Sequence, residues 1–177
     1  EVRVSSPSLK MEADLSQLLL AAQHPDKATR DVAEAQLAQA RASNAPLYLR
    51  LLSAELSDES KQMQTRSLAG IQLKNTLTSK DDAQAETLAN SWLALDPAVR
   101  TEIKEHSLRA LGSPVREVRN TAASVVSKIA TIELPKHQWP DLMPLLLTYV
   151  TQAEASPAGV VRKEATLNAI GYICEEI

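Results

Sequence analysis

The sequence predicts an all-α fold assembled from about four antiparallel helix pairs, and three observations carry that expectation. Hydrophobic residues make up 44% of the 177 residues, yet aromatics make up only 3% and Phe is absent. Ala and Leu must therefore fill the core, as in helix-on-helix packing where small side chains let backbones approach. Only four glycines occur and strand-type alternation is scarce, which favours helices over sheet. Finally, a five-residue pattern, Thr/Val-Arg-x-x-Ala, recurs at Thr29-Arg30…Ala33, Thr65-Arg66…Ala69, Val118-Arg119…Ala122 and Val161-Arg162…Ala165.

The four arginines are spaced by 36, 53 and 43 residues, bracketing the roughly 40–47 of HEAT-type helical pairs. The expected fold is a right-handed α–α superhelix of the HEAT/armadillo type. Residues 11–43 form the first repeat, with helices over 12–23 and 26–43 separated by His24-Pro25. Residues 45–80 form the second, opened by Asn44-Ala45-Pro46 and carrying helices over 45–57 and 60–79. The long middle interval holds an extra segment, 81–96, read as a connecting helix. Residues 97–134 form the third repeat, with helices over 97–111 and 115–133, and 138–177 the fourth, with helices over 139–152 and 158–177. Asp96-Pro97 and Ser113-Pro114 read as N-cap plus first helical residue, because proline's missing N–H has no partner there. Pro144, four residues after Pro140, predicts a kink inside the seventh helix.

The third repeat has the cleanest periodicity: Val115, Val118, Ala122, Val125, Ile129 and Ile132 step by three and four into one apolar stripe. In the fourth, Leu167, Ile170, Cys174 and Ile177 share a face with Lys163 at its outer end, which predicts a buried Cys174 acting as a small hydrophobe. That last stripe is unfinished and has no polar cap, so a longer natural chain is expected. Residues 1–10 lack an apolar signal region and read as a leader or a disordered arm.

The net charge of −3 argues against a nucleic-acid module, which carries a basic stripe. The single cysteine allows neither an internal disulfide nor a Cys-based zinc site. The longest apolar run, Leu142 to Leu147, is short and interrupted by Pro144, so no membrane insertion is expected. His24, His106 and His137 stand apart from other ligand residues, so no metal is expected. Neither a phosphate-binding glycine loop nor a nucleophile elbow is present, and the reading is a binding protein rather than an enzyme, with no cofactor.

Four blocks resemble the importin-β (karyopherin β) family of nuclear transport receptors. They are Gly70-Ile71-Gln72-Leu73-Lys74-Asn75-Thr76-Leu77-Thr78-Ser79-Lys80-Asp81, then Trp92-Leu93-Ala94-Leu95-Asp96, then Ile132-Glu133-Leu134-Pro135 leading to Gln138-Trp139-Pro140-Asp141-Leu142-Met143-Pro144, and Gly171-Tyr172-Ile173-Cys174-Glu175-Glu176. Their order and spacing agree with the family from Met11 to Ile177. The resemblance implies a receptor whose N-terminal repeats bind the GTPase Ran in its GTP form, releasing cargo, and which shuttles between cytoplasm and nucleus through the nuclear pore. It implies that an importin-α adaptor or cargo, and phenylalanine–glycine (FG) nucleoporins, bind mainly through regions beyond this chain. The alternative is another HEAT-repeat scaffold, or an importin-β relative with a different cargo.

On this resemblance Lys74, Asn75 and Lys80 match Ran-contacting positions, and Arg116 and Arg119 join them. Lys80 has a second reading, as a cation at a helix C-terminus favoured by the macrodipole. Arg30, Arg66, Arg119 and Arg162, one per repeat, read as a structural ladder pairing with carbonyls or carboxylates of their own or neighbouring repeats. Trp92, Trp139 and Tyr172 are expected in the core, and Glu175-Glu176 at a solvated edge.

Overall fold

The structure is a computed structural model that describes residues 15–151 and 156–176. The expected arm at 1–10, the start of the first helix and Ile177 lie outside the described residues. The helices are α1 (15–21), α2 (Lys27–Ser43), α3 (Ala45–Ser57), α4 (Met63–Asn75), α5 (Asp82–Leu93), α6 (Pro97–Ala110), α7 (Arg116–Glu133), α8 (Leu142–Thr151) and α9 (Pro157–Glu176), with a 3-10 turn at Leu134–Lys136. No strand occurs among the described residues.

The helices stack in two rows. α3 packs on α4 within its own hairpin and on α6 in the next, while α4 packs on α7 and α7 on α9. The second helices of successive hairpins therefore form one layer and the first helices the other, as in an α-solenoid. α5 lies outside this scheme and buries only Leu88 and Trp92, with Ala89 and Leu93 packed partly buried against the core.

Side chains define several helix starts. Asp26, Asn44, Asp81 and Asp96 accept hydrogen bonds from the backbone N–H of Thr29 (2.9 Å), Leu47 (3.1 Å), Gln84 (2.8 Å) and Ala98 (2.7 Å). Each satisfies an orphan donor of the first turn, and Pro97 follows Asp96 as the spacing predicts. Ser113-Pro114 departs from expectation. α7 begins at Arg116 behind Val115, which has no side-chain cap bond. Ser113 is buried, and its Oγ accepts from Arg66 Nη2 (3.1 Å) and from the Val115 N–H (3.3 Å). The serine is spent on a neighbouring hairpin rather than on a cap. The kink at Pro144 is also absent: α8 starts at Leu142, which puts Pro144 in the first turn, where no intrahelical bond is lost.

α7 is the centre of the core. Val118, Ala122, Val125 and Ile129 are completely buried and Ile132 nearly so, each larger side chain contributing roughly 1.5–3 kcal/mol by leaving water. In α9 the expected stripe is displaced. Ala165, Thr166, Ala169 and Ile173 face inward, whereas Leu167, Tyr172 and Cys174 are exposed. The alanines let α9 approach α7 closely, and that contact outweighs the bulkier apolar face. Trp92 and Trp139 are buried as expected.

Candidate partner-binding surface

The surface around the C-terminal end of α4 depends on one close approach. A Cβ on Gly70 would stand 2.4 Å from Thr121 Cγ2 and 3.1 Å from Leu56 Cδ1, so glycine is what lets α4 and α7 meet. One turn further on, Lys74 is half-buried and Asn75 exposed, and neither side chain bonds another described residue. Thr76 caps the helix, its N–H reaching the carbonyls of Gln72 and Leu73 (both 3.1 Å). The helix predicted to run to 79 thus ends at Asn75. Lys80 is exposed in the linker, directly before Asp81, the N-cap of α5. Because the macrodipole acts only within the last turn, the reading of Lys80 as a helix-terminal cation does not hold.

Between α2 and α4 lies an open groove of about 570 Å³, with Leu37 and Tyr48 inside and Arg41, Gln72 and Asn75 on its rim. Tyr48 is buried, which pushes its hydroxyl above the usual tyrosine pKa. Arg41, Gln72 and Asn75 make no side-chain bond to another described residue, so polar groups converge unspent over an apolar floor. Asn75 was predicted here. Arg41 and Gln72 were not, since no spacing rule links α2 to α4. Arg116 is exposed at the start of α7, near the N-terminal end of α4, where Arg66 reaches Ser113, and so away from Lys74 and Asn75.

The four repeated arginines do not behave alike. Arg30 Nη1 donates to the carbonyls of His24 and Pro25 (both 2.8 Å) at the exposed start of α2. Arg119 Nη1 donates to Ser113 O and Pro114 O (both 3.0 Å) at the same sequence offsets, but is buried, with Glu164 3.7 Å from Nη2. Arg66, 2% exposed, donates to Leu56 O (3.1 Å) and Ser113 Oγ (3.1 Å). Arg162 lies 5.4 Å over the Tyr149 ring and against Gly112. Burial leaves Arg119 almost no surface to offer a partner.

A further cluster joins two of the sequence blocks. Glu133 is completely buried. Its Oε1 accepts from the Trp92 indole (3.0 Å) and Arg100 Nη1 (2.8 Å), and its Oε2 from Lys104 Nζ (2.8 Å). Lys104 also stands 4.9 Å over Trp139, and Arg100 reaches Gln138 Oε1 (2.5 Å). His137, at φ 55°, reverses the chain after the 3-10 turn so that Gln138 and Trp139 return to this cluster. Trp92 and the block running from Glu133 to Trp139 thus share one network, buried at Trp92, Glu133 and Trp139 and open at Gln138, that joins α5, α6 and α7. Two cations share a single carboxylate, a charge-assisted arrangement that ties the helices together.

Nucleophilic chemistry finds no footing in the nearest arrangement that resembles it. Ser53 Oγ lies 2.9 Å from His106 Nδ1 but is completely buried and donates to Arg50 O (2.8 Å). Among the described residues no three His, Cys, Asp or Glu side chains converge to hold a metal, and no helix is long and apolar enough to cross a membrane.

Residues 33–113 match the family described as Importin-beta N-terminal domain, and importin subunit beta-1 of Arabidopsis thaliana is 41% identical over 94% of this chain. The chain belongs to the importin-β family. It spans 19% of that relative's length. Its fold superposes on yeast importin-β (Kap95p) with a TM-score of 0.86 at 34% identity, covering 93% of this chain and 19% of that one. A structure concerning Kap95p binding, which induces the switch loops of RanGDP to adopt the GTP-bound conformation, has a TM-score of 0.85 at 34% identity over 93% of this chain and 19% of that one. The importin-β solenoid accounts for the two helix rows, and three of the four blocks that carried the resemblance map onto the α4 terminus and the Glu133 network, the fourth onto the end of α9.

Proposed function

We propose that this chain is the Ran-receiving part of a nuclear import receptor, with four repeats at 11–43, 45–80, 97–134 and 138–177 and α5 as the connecting helix. The supporting observation is the surface at the C-terminal end of α4, where Lys74, Asn75 and the α2–α4 groove lie together with Lys80 in the adjoining linker, while Arg116 lies toward the other end of the second-helix layer. These groups are unpaired among the described residues and apolar surface lies beneath them, as in a recognition surface with an apolar centre and polar rim. Kap95p, similar along nearly the whole chain, reshapes the switch loops of RanGDP, which supports Ran as the partner. Arg66, Arg119 and Arg162 serve the stack and Arg30 its own turn, rather than the partner. The chain acts by binding, without turnover. The receptor shuttles between cytoplasm and nucleus through the pore, and its adaptor, cargo and nucleoporin contacts lie mainly beyond these repeats.

A ligand that binds one conformation better shifts the equilibrium only by its differential affinity. Ran in its GTP form already has the conformation that the receptor selects, so it binds more tightly than the GDP form. The test is the double charge reversal Lys74→Glu with Lys80→Glu, read by titration calorimetry with GTP-loaded Ran and by circular dichroism. Weakened binding at unchanged helix content is expected. Unchanged affinity, or loss of helicity, contradicts the role.

A further inference from the structure

Three arginines from three successive second helices meet at one turn. Arg66 of α4 donates to Ser113 Oγ at 3.1 Å. Arg119 of α7 donates to the carbonyls of Ser113 and Pro114, both at 3.0 Å. The Arg162 guanidinium of α9 packs so closely on Gly112 that a Cβ there would lie 2.8 Å from Nη2 and 3.0 Å from Nε. Ser113 is buried, as are Arg66 and Arg119. No other hairpin turn among the described residues gathers guanidinia from its neighbours: Arg30 bonds only its own turn.

We infer that Gly112-Ser113-Pro114 is the joint that sets α4, α7 and α9 relative to one another, so that altering it changes the angle between hairpins rather than the integrity of any hairpin. The geometry gives each residue a separate task. Ser113 Oγ reaches back to the preceding hairpin, the Ser113 and Pro114 carbonyls hold α7, and the bare Gly112 admits the following hairpin. All three contacts sit near the N-terminal ends of parallel helices, so an error in setting grows toward the far ends. α7 has 18 residues and is ~27 Å long at 1.5 Å per residue. A tilt of about 10° would swing its far end by about 5 Å, and that of the 13-residue α4 by about 3 Å.

The chain's only cysteine, Cys174, is exposed, so a Cys174→Ser background allows clean spin-label pairs at helix far ends. Labels at Asn75→Cys with Thr131→Cys report α4 against α7, and Thr131→Cys with Glu175→Cys report α7 against α9. Electron–electron distance measurement should show Ser113→Ala shifting or broadening the first distribution by about 3–5 Å on the helix lengths above, at unchanged circular dichroism. Gly112→Ala should alter the second distribution and spare the first. Leu19→Ala in α1, at a buried position away from the three arginines and the labelled helix ends, should leave both unchanged. Should Ser113→Ala not fold, Gly112→Ala decides alone by the same criterion. Unchanged distributions in the folded variants with only a lower melting temperature, or equal shifts from Leu19→Ala, would overturn the inference.

Discussion

α2 and α7 carry the same local device in opposite circumstances. Arg30 and Arg119 each reach carbonyls five and six residues back, closing the turn that precedes their helix. Yet α2, with 17 residues, buries only Ala33 and Leu37, whereas α7, with 18, buries eleven. α7 lies between α4 and α9 in the layer and against α6 behind it, while α2 packs on α3 and faces Leu18 and Ala21 of α1. The repeated motif therefore specifies how a hairpin starts, and position in the stack specifies how firmly it is held. In a quasi-one-dimensional array stability is a sum over neighbours, so the two helices should respond differently to equivalent damage.

The largest effect is expected at the buried carboxylate of α7. Glu133→Ala leaves Arg100 and Lys104 without their counter-ion, and breaking a buried pair from one side costs ~3–5 kcal/mol. Chemical denaturation would measure it. A cost below about 1 kcal/mol, the range of surface pairs, would mean that the network is solvated.

Next come truncations of equivalent core residues. Ile129→Ala in α7 should cost about 3–4 kcal/mol and Leu37→Ala in α2 about 2 kcal/mol, the upper and lower parts of the range for such cavities. Equal losses would break the comparison. A smaller gap is expected within the ladder. Arg119→Ala strands the buried Ser113 carbonyl and the part-buried Pro114 carbonyl and should cost about 1.5–3 kcal/mol, whereas Arg30→Ala at the surface should stay within about 0.5 kcal/mol.

The smallest effect concerns pH at the α3–α6 contact. Burial, reinforced by Arg109, holds His106 below its ordinary pKa of 6.5, with Glu102 and Glu105 opposing weakly. The unfolded chain then takes up a proton more readily than the native one. The stability this neutral imidazole contributes is complete above the ordinary value and is lost as pH falls through the native one. Urea titrations across that window should show the decline, flattened in His106→Gln.

The helix order was legible because local signals sufficed: Asp-Pro at 96–97, the three-and-four stepping of α7, and the proline punctuation. The misread features were those decided by neighbours. Ser113 looks like a cap until Arg66 claims its hydroxyl. The Leu167–Cys174 stripe looks like a core until Ala165 and Ala169 permit closer packing on α7. Lys80 looks helical until Thr76 ends α4. At the candidate surface Lys74 and Asn75 are proposed from motif and position, whereas Arg41 and Gln72 join only when two hairpins form a groove. Glu133, Trp92 and Trp139 stood in the quoted blocks, but nothing in linear spacing brings residues 41 apart onto one carboxylate.

The central claim is that these repeats receive Ran and prefer its GTP state. Titration of the chain with Ran, loaded in turn with a non-hydrolysable GTP analogue and with GDP, tests it directly. The account predicts an affinity for the GTP form at least ~5-fold tighter, the lower end of ordinary allosteric coupling, with the preference carried by Lys74 and Lys80. Equal affinity for both forms, or a preference untouched by reversing those lysines, would contradict it.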